Sequence, residues 1–315
     1  MTHAPVIVVG YTKAATLKRV LENLARCDGI EDRDVFAYVD GPRSERDVVN
    51  RNKVLSVFND AKQYLRGLKI RERQTNYGCK ENIVQAINET FDAYDRIILV
   101  EDDVLVSRTF LAYMDSSLEF YEKDTRIWGI NAYSSRYVHV PASYSFDIYL
   151  NPRNATPGWG TWKNRWMAVD FTMKDWNLFK KHEENRIKVD CAGVDLFRMM
   201  DIQANDPMQL NAWDIQCTYH MIKNGLFSIT PTKSLTKNIG FGMESEHCET
   251  DNPAYTTQKY FNFLPKLVKD ILPYQSIAKQ IPFAFIDPRL DRRILRKLHR
   301  MMISLGPRYD QPFDG

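Results

Sequence analysis

The sequence predicts an α/β fold whose mainly parallel, Rossmann-like sheet is flanked by helices. Two observations carry this prediction: β-rich runs alternate with helix-period segments over about the first 130 residues, and three of the runs are nearly all apolar. Strands buried on both faces have this composition, and their alternation with helices is typical of parallel sheets. Because ligands of such sheets bind at the carboxyl ends of the strands, we expect the chemistry there.

The individual elements follow in order along the chain. Strands are predicted at 6–9, 35–39, 68–71, 97–100 and 127–131. Helices are predicted where apolar residues recur every three or four positions. Their stripes are Ala14, Leu17, Leu21 and Leu24, then Ile83, Ile87 and Phe91, then Phe110, Met114, Leu118 and Tyr121.

The chain is predicted to form one domain in two halves, followed by an extension. The halves are residues 1–132 and 133–250. Residues 251–315 are predicted to be a helical C-terminal extension, in which the helical segments are interrupted by prolines 265, 273 and 282.

Composition and charge bound the class of protein. A chain of 315 residues with 44% hydrophobic residues can bury a substantial core, and 43 basic against 40 acidic residues argue against a dedicated nucleic-acid binder. The five cysteines form no Cys-x-x-Cys pair, so we expect neither a zinc site nor a disulfide framework, and a reducing compartment fits best. No stretch has the pattern of a signal peptide or the length of a membrane span, so a cytoplasmic protein is expected.

Three consecutive carboxylates follow the fourth predicted strand: Glu101, Asp102 and Asp103, which we call the acid triplet. Mutual repulsion and desolvation make such a cluster costly unless a cation or strong donors compensate. A hard divalent ion, Mn²⁺ or Mg²⁺, is the natural compensation and would bridge a carboxylate to a diphosphate. The alternative is a solvated acidic turn in which Asp103 or Ser107 caps the next helix.

Residues after the first two predicted strands are expected at the same edge of the sheet. Gly10, Tyr11 and Thr12 could bring backbone close to a nucleotide, although a plain strand-to-helix turn fits equally well. Asp40 ends the second strand. Its carboxylate could accept a bond from a base or ribose, or it could simply form an Asp-Gly turn.

The segment from Asn76 to Lys80 opens the helix after the third strand. Backbone donors at this helix start, together with Lys80, could meet anionic groups. The chain has no glycine-rich phosphate loop of the Walker or dinucleotide type, so those two nucleotide-binding classes lack their signature.

Later segments complete an ordered pattern with the acid triplet. They are Thr156-Pro-Gly-Trp-Gly-Thr-Trp162, Asn211-Ala-Trp-Asp214, Ile229-Thr-Pro231 and Asn238-Ile-Gly-Phe-Gly242. In this order the motifs resemble the N-acetylglucosaminyltransferase I family and its bacterial relatives of the GT-A fold. The resemblance covers about residues 5–245. It implies a GT-A type fold and an inverting, metal-dependent glycosyltransferase.

The resemblance also implies a role for each matching position. Asp103 would bind the metal, while Glu101 and Asp102 would hold the ribose or the donor sugar. Asp40 would contact the nucleoside. Asp214 would be the general base that takes the proton of the acceptor hydroxyl.

One departure from the family pattern concerns this base. The family often has two adjacent acids after the tryptophan, whereas Ile215 follows Asp214 here. If the base belongs to the second position, Asp206 is the nearest substitute. Asp214 would then be a helix N-cap or a first-turn acid.

Two further residues are candidates for ligand contact. Trp159 lies between glycines, which indicates a loop, and it is expected to face the donor or the acceptor. With Trp162 and Trp166 it could equally form a packed core face. His247 could complete the metal or diphosphate site, or it could be a surface residue.

The expected substrates are a UDP-sugar donor and a saccharide or lipid-linked saccharide acceptor, in surface polysaccharide biosynthesis. Residues 1–132 would bind the nucleotide sugar, and residues 133–250 would bind the acceptor and carry catalysis. The basic, amphipathic stretch 289–305 could lie on an anionic membrane surface or pack on the domain. The rival functions are a sugar-phosphate nucleotidyltransferase, which would need a Gly-rich basic loop after the first strand, and a non-catalytic carbohydrate-binding protein.

Overall fold

A central sheet organises the computed structural model, which describes residues 3–240 and 258–286. The strands are β1 (Val6–Gly10), β2 (Val35–Val39), β3 (Leu68–Glu72), β4 (Arg96–Val100), β5 (Val104–Val106), β6 (Ile127–Asn131), β7 (Ile148–Asn151), β8 (Trp159–Trp162), β9 (Phe227–Pro231) and β10 (Thr236–Asn238). Eight of them form one sheet in the order β3-β2-β1-β4-β8-β6-β9-β7, and β5 pairs with β10 in a separate ribbon. Within the sheet β7 and β8 run against the other six strands, so the predicted mainly parallel sheet is confirmed.

The five predicted strands lie within one residue of their predicted bounds. In β1, Val6 and Val8 pack into the core on one face of the sheet, and Ile7 and Val9 pack into the core on the other face. A strand that is covered on both faces needs apolar residues at every position. Burial on both faces of the sheet therefore explains the continuous apolar runs of the sequence.

Helices cover both faces of the sheet. They are α1 (Ala14–Leu24), α2 (Glu45–Ala61), α3 (Cys79–Phe91), α4 (Phe110–Phe120), α5 (Lys163–Trp166), α6 (Trp176–Phe179), α7 (Glu183–Ala192), α8 (Leu196–Asn205), α9 (Trp213–Lys223) and α10 (Gln275–Ala278). α1, α2 and α4 bury apolar side chains on one face, and α3 and α9 on the other. The three predicted stripes are confirmed as those of α1, α3 and α4. None of these helices is both long and apolar enough to cross a membrane.

Helix α9 lies between the sheet and a smaller helical layer. The side that faces the sheet carries Trp213, Cys217 and Met221. The opposite side packs on α6, α7 and α8 through Ile215, Tyr219 and Ile222. Because α9 is held from both sides, its first turn has a fixed position at the edge of the sheet.

Trp159 lies in a strand and not in a loop, so its predicted contact with a sugar is wrong. β8 pairs antiparallel with both β4 and β6, and Trp159 is 0% exposed. Its ring centroid lies 5.3 Å from those of Trp128 and Trp213, so Trp159 is part of a packed core, which was the alternative prediction. The neighbouring glycine permits close strand packing, since a Cβ on Gly160 would lie 2.7 Å from the carbonyl oxygen of Ile97.

The described part of the C-terminal segment is mostly irregular. Residues 258–286 contain only α10 and a 3₁₀ turn (Ile281–Phe283) as helical structure. Carbonyl groups of this segment accept hydrogen bonds from the main body. For example, Tyr121 Oη donates to the carbonyl oxygen of Val268 at 2.7 Å. The predicted helical extension is therefore wrong for these residues, because prolines and partners on the main body replace intrahelical bonds. The basic stretch 289–305 lies outside the described residues.

Candidate functional site

The carboxyl ends of β1, β2 and β4 open into a cleft of about 330 Å³. Parallel strands end at the same edge of a sheet, so residues far apart in sequence meet there. Nine of the predicted site residues line this cleft: Gly10, Tyr11, Thr12, Asp40, Asn76, Glu101, Asp102, Asp103 and Asp214. The structure therefore brings the acid triplet and the predicted base into one cavity.

The acid triplet lies in the turn between β4 and β5, where the glycine-rich return packs against it. The β5–β10 ribbon pairs Val104 with Asn238, and the amide of Ile239 donates to the main-chain oxygen of Asp103 at 2.7 Å. Asn238 Nδ2 lies 3.3 Å from Asp103 Oδ1. A Cβ on Gly240 would lie only 1.9 Å from Asp103 Oδ2, so glycine is required there. The two motifs form one structural unit.

The acid triplet crowds negative charge around Glu101. Burial raises the pKa of Glu101, and the nearby carboxylates of Asp103, Asp214 and Asp102 raise it further. A hydrogen bond from the Thr156 hydroxyl opposes this effect but leaves the pKa at about 8. A cation placed near these carboxylates would favour their charged forms, since it would offset the mutual repulsion.

Asp214 occupies the first turn of α9 and faces the triplet across the cleft. Trp213 fixes this turn by packing against Trp159 and Trp166, at ring-centroid distances of 5.3 and 6.1 Å. Burial raises the pKa of Asp214, although Arg153 and the amide of Ile215 counteract part of the rise. A carboxylate with a raised pKa is a better proton acceptor, which suits a general base.

The structure also separates the two candidates for the base. Asp206 follows the last residue of α8 and is exposed, outside the residues that line the cleft. Asp214 lines the cleft, and the following Ile215 is buried in the helical layer. A second acid at position 215 would therefore point away from the cavity.

Asp40 lines the cleft but its carboxylate is used by the protein itself. It is 4% exposed and accepts bonds from the amides of Gly41, Tyr77 and Gly78 at 2.8 to 2.9 Å. Asn76 Nδ2 supplies a fourth bond at 3.0 Å. An ionised carboxylate has about four acceptor positions. We therefore correct its predicted role: Asp40 ties the turn before α3 to the end of β2 instead of offering an open acceptor to a nucleoside.

Lys80 is not among the described side chains that line the cleft. The start of α3 does reach it, through Gly78, Cys79 and other residues. Lys80, the second residue of this helix, lies close enough to Cys217 of α9 for the two groups to interact electrostatically. Burial lowers the pKa of Lys80, and its contact with an anionic ligand stays a prediction. His247 lies outside the described residues.

Several lining residues were not predicted from the sequence as ligand-binding. Lys13 and Arg43 bring positive charge beside the turn after β1. Arg153 forms a two-bond pair with Asp195 at 2.8 and 3.0 Å, and its guanidinium lies 4.1 Å from the ring of Phe285. Phe285 and Arg153 follow no motif, so no sequence signal identifies them. Asn154 and Thr156 also line the cleft, and the available signal was the Gly-Trp motif, which begins at Thr156.

The donor set of the cleft fits a hard divalent cation held in part by its ligand. Within residues 3–240 and 258–286, no three His, Cys, Asp or Glu side chains are arranged as a metal cage. Mg²⁺ and similar ions are usually bound by one or two carboxylates together with substrate phosphates. The carboxylates of Asp102 and Asp103, beside the crowded Glu101, meet that requirement.

Comparison with known proteins gives only distant similarity. No family model matches the chain, and no curated protein matches it either. The resemblance to the N-acetylglucosaminyltransferase I family therefore stays a prediction.

Similar solved structures include several glycosyltransferases. TarS 1–349 of S. aureus is 13% identical, over 76% of this chain and 60% of that one, with a TM-score of 0.43. The mannosyltransferase PcManGT from Pyrobaculum calidifontis, in complex with GDP-Man and Mn²⁺, is 12% identical over 71% and 74%, with a TM-score of 0.39. The glycosyltransferase GlyE of Streptococcus pneumoniae TIGR4 is 12% identical over 72% and 45%, with a TM-score of 0.36. Similarity this distant carries no argument about activity or substrate, which must come from the cleft.

Proposed function

We propose that the chain is an inverting, metal-dependent glycosyltransferase that moves a sugar from a nucleotide-sugar donor to a hydroxyl acceptor. One observation carries the proposal: the acid triplet and Asp214 line the same cleft at the carboxyl edge of the sheet, on elements more than 100 residues apart. The triplet suits a cation that accompanies a diphosphate, and Asp214 suits proton removal. Together they supply both ends of a displacement at a sugar carbon.

The donor end of the cleft is suited to a nucleoside diphosphate. Lys13 and Arg43 add positive charge near the turn after β1, and the amino-terminal end of α3 directs its dipole toward the cavity. Asp103 would hold Mn²⁺ or Mg²⁺, and Glu101 and Asp102 would hold the ribose or the donor sugar. When bound, such a cation supplies Lewis-acid stabilisation of the charge on the leaving diphosphate.

Asp214 would accept the proton of the acceptor hydroxyl. The hydroxyl oxygen forms a bond to the anomeric carbon while the bond from that carbon to the diphosphate oxygen breaks, and the proton passes to the carboxylate. One displacement of this kind inverts the configuration at the anomeric carbon. The raised pKa of Asp214 strengthens it as a base, provided that it remains ionised at the working pH.

Calorimetry with UDP or GDP, with and without Mn²⁺, tests the proposal. We expect metal-dependent binding of one nucleotide, and at least about tenfold weaker binding for Asp103→Ala, because a direct ligand to the cation is lost. Asp206→Ala is the matched control, since this exposed carboxylate lies outside the cleft and should leave affinity unchanged. Failure of the wild-type protein to bind either nucleotide in the presence of Mn²⁺ would contradict the proposal.

The assignment of the base has its own test. Asp214→Asn should bind the nucleotide within about twofold of wild type but lose about 10²–10⁴-fold in turnover, the usual contribution of a general base. A donor screen that detects released nucleotide would measure turnover and identify the donor, for which a UDP-sugar is expected. Wild-type turnover in Asp214→Asn would show that another group takes the proton.

Saccharide and lipid-linked saccharide acceptors in surface polysaccharide assembly remain the proposed acceptor class. A screen with saccharide acceptors, free and lipid-linked, would identify it. The same assay separates the nucleotidyltransferase alternative, because that enzyme would release pyrophosphate from a nucleoside triphosphate and a sugar phosphate. The single basic residue of the turn after β1, Lys13, does not favour that alternative.

A further inference from the structure

The side chain of Asn154 is buried at the cleft with no hydrogen-bond partner. It is 3% exposed, it lines the cavity, and neither its Oδ1 nor its Nδ2 bonds to any residue that the structure describes. More than nine in ten buried polar groups in proteins are satisfied, and leaving a whole carboxamide unsatisfied is destabilising. Such a group at a cavity wall points to a partner that enters the cavity.

Neighbouring asparagines show that the protein does not lack bonding opportunities here. Asn131 is buried beneath this segment, where its Oδ1 accepts the amide of Ala155 at 3.2 Å and its Nδ2 donates to the Arg153 carbonyl at 3.3 Å. Asn151 Oδ1 accepts the amide of Arg153 at 3.0 Å. These two carboxamides fix the backbone on both sides of Asn154. Its own carboxamide is held in place at the cleft but is not used by the fold.

The neighbours of Asn154 along the chain interact with both parts of the proposed reaction centre. Thr156, two residues later, bonds to Glu101 of the acid triplet. Arg153, the preceding residue, acts electrostatically on Asp214. Asn154 lines the same cleft as both parts, and in the proposed reaction the transferred sugar occupies that cleft between the diphosphate and the base.

We propose that the Asn154 carboxamide binds two adjacent hydroxyl groups of the transferred sugar, an inference that rests on the proposed function. A carboxamide presents an acceptor and a donor side by side. One sugar hydroxyl donates to Oδ1, and its neighbour on the ring accepts from Nδ2. The pair satisfies the buried amide only when the sugar is present, so Asn154 contributes to binding of the sugar and not of the nucleotide.

The experiment compares affinities for nucleotides with and without the sugar. Calorimetry in Mn²⁺ would use UDP, GDP, UDP-glucose, UDP-N-acetylglucosamine and GDP-mannose as probes. Asn154→Leu, which is apolar and of similar size, should weaken binding of the accepted nucleotide-sugar by about tenfold and of the matching nucleotide by less than about twofold. Because the variant removes an unsatisfied amide, its Tm should equal or exceed that of wild type.

Asn151→Leu is the matched control. Its carboxamide serves the fold, so this variant should lower Tm and leave the ratio of the two affinities unchanged. An unchanged ratio in Asn154→Leu, with a normal acceptor KM, would overturn the inference and leave an ordered water as the partner of the amide. An unchanged ratio with a raised acceptor KM would also overturn it, and would assign the carboxamide to the acceptor sugar instead. A wild-type protein that bound no nucleotide would instead contradict the proposed function, and this inference with it.

Discussion

At the residue scale, the cleft contains side chains that build its wall and side chains that are left for a ligand. Asp40 belongs to the first kind, because four bonds from the protein occupy its carboxylate. Asn154 belongs to the second, because the fold uses neither of its polar atoms. Both residues are polar and buried, so only their hydrogen-bond partners distinguish the two kinds of side chain.

Trp159 allows a direct test of a residue that belongs to the core. Trp159→Ala should lower the free energy of unfolding by about 3–5 kcal/mol, because it leaves a cavity among stacked rings. Urea unfolding would measure the loss, with Leu178→Ala as a surface control that should change stability by no more than about 0.5 kcal/mol. Unchanged stability together with lost nucleotide-sugar affinity would restore the original assignment of Trp159 to the ligand.

Arg153 sets the pH dependence expected of Asp214. Its positive charge lowers the pKa of Asp214, whereas Asp195 raises it. Arg153→Met removes the first effect and leaves Asp195 without this partner, so both changes raise the pKa. Since Asp214 must be deprotonated to act, the acid limb of the kcat/KM profile should move to higher pH.

The profile would be measured between about pH 4 and pH 8. Arg153→Lys keeps the positive charge and is expected to move the acid limb less than Arg153→Met. An acid limb that stays in place in Arg153→Met, or moves to lower pH, would show that Asp214 does not control this limb.

At the scale of elements, three local structures position the chemistry. The first turn of α9 presents Asp214, the turn between β4 and β5 presents the acid triplet, and the β5–β10 ribbon brings the glycine-rich return onto that triplet. The return is also tied to the Gly-Trp motif, since Thr236 Oγ1 donates to the carbonyl oxygen of Pro157 at 2.7 Å. The motifs that are ordered along the sequence are therefore neighbours in space.

The close contact between Gly240 and Asp103 predicts the effect of adding one methyl group at position 240. Gly240→Ala should displace the Asp103 carboxylate, because the added Cβ would lie 1.9 Å from Oδ2. We expect metal-dependent nucleotide affinity to fall at least about tenfold, as for other groups that orient a metal ligand. Calorimetry with Mn²⁺ would measure it.

Gly225→Ala provides the control for Gly240→Ala. Gly225 has a positive φ of +66°, but a Cβ there would meet nothing within 4 Å. This variant should lose about 1 kcal/mol of stability through backbone strain and keep its nucleotide affinity. Equal affinity losses in the two variants would indicate a general effect of destabilisation instead of a local effect on Asp103.

At the scale of the whole molecule, buried ion pairs join elements that the sheet alone does not connect. Arg33, before β2, is buried and pairs with Asp115 of α4 through the two terminal nitrogens of its guanidinium, Nη1 and Nη2. The same guanidinium bonds to the carbonyl oxygen of Ala4, at the entry to β1. This cluster holds α4 against the amino-terminal side of the sheet, opposite to the cleft.

This cluster predicts a stability difference that depends on pH. Burial alone would raise the pKa of Asp115, but the hydrogen bond and charge of Arg33, together with hydrogen bonds from His3 and the amide of Ala4, outweigh it and lower the pKa. A lowered pKa means that the stabilisation is present above the unfolded pKa, near 3.9, and is lost as pH falls through the folded value. Asp115→Asn should therefore cost about 2–3 kcal/mol at pH 7, somewhat below a fully buried pair because the carboxylate is 23% exposed.

Urea unfolding at pH 7, pH 4 and pH 3 would measure the gap between Asp115→Asn and wild type. The gap should be almost unchanged at pH 4, which lies above both pKa values, and should narrow at pH 3, because the stabilisation of the wild-type protein is lost as pH falls from the unfolded pKa toward the folded value. A gap that stays constant down to pH 3 would show that shape, and not charge, makes the contribution.

The sequence by itself determined the parts of this protein that depend on local pattern. Continuous apolar runs predicted β1, β2 and β4, and apolar stripes predicted α1, α3 and α4, because burial on a sheet face or helix face leaves a period in the sequence. α2 was missed because only three of its 17 residues are buried, so its apolar stripe of Val54, Phe58 and Ala61 is short and confined to the C-terminal half. The acid triplet was found because three carboxylates after a buried strand are unusual, whereas Asp214 was singled out only through the motif resemblance.

Only the tertiary structure decided what each polar or aromatic side chain contacts. Trp159 is a core residue because β8 pairs between β4 and β6. Lys80 lies near α9, and Phe285 lines the cleft although it belongs to the C-terminal segment. The partners of these residues come from distant parts of the chain. A sequence pattern indicates which positions of an element are buried. It does not indicate the hydrogen-bond and packing partners of those positions, because the partners belong to other elements that only the tertiary fold brings next to them.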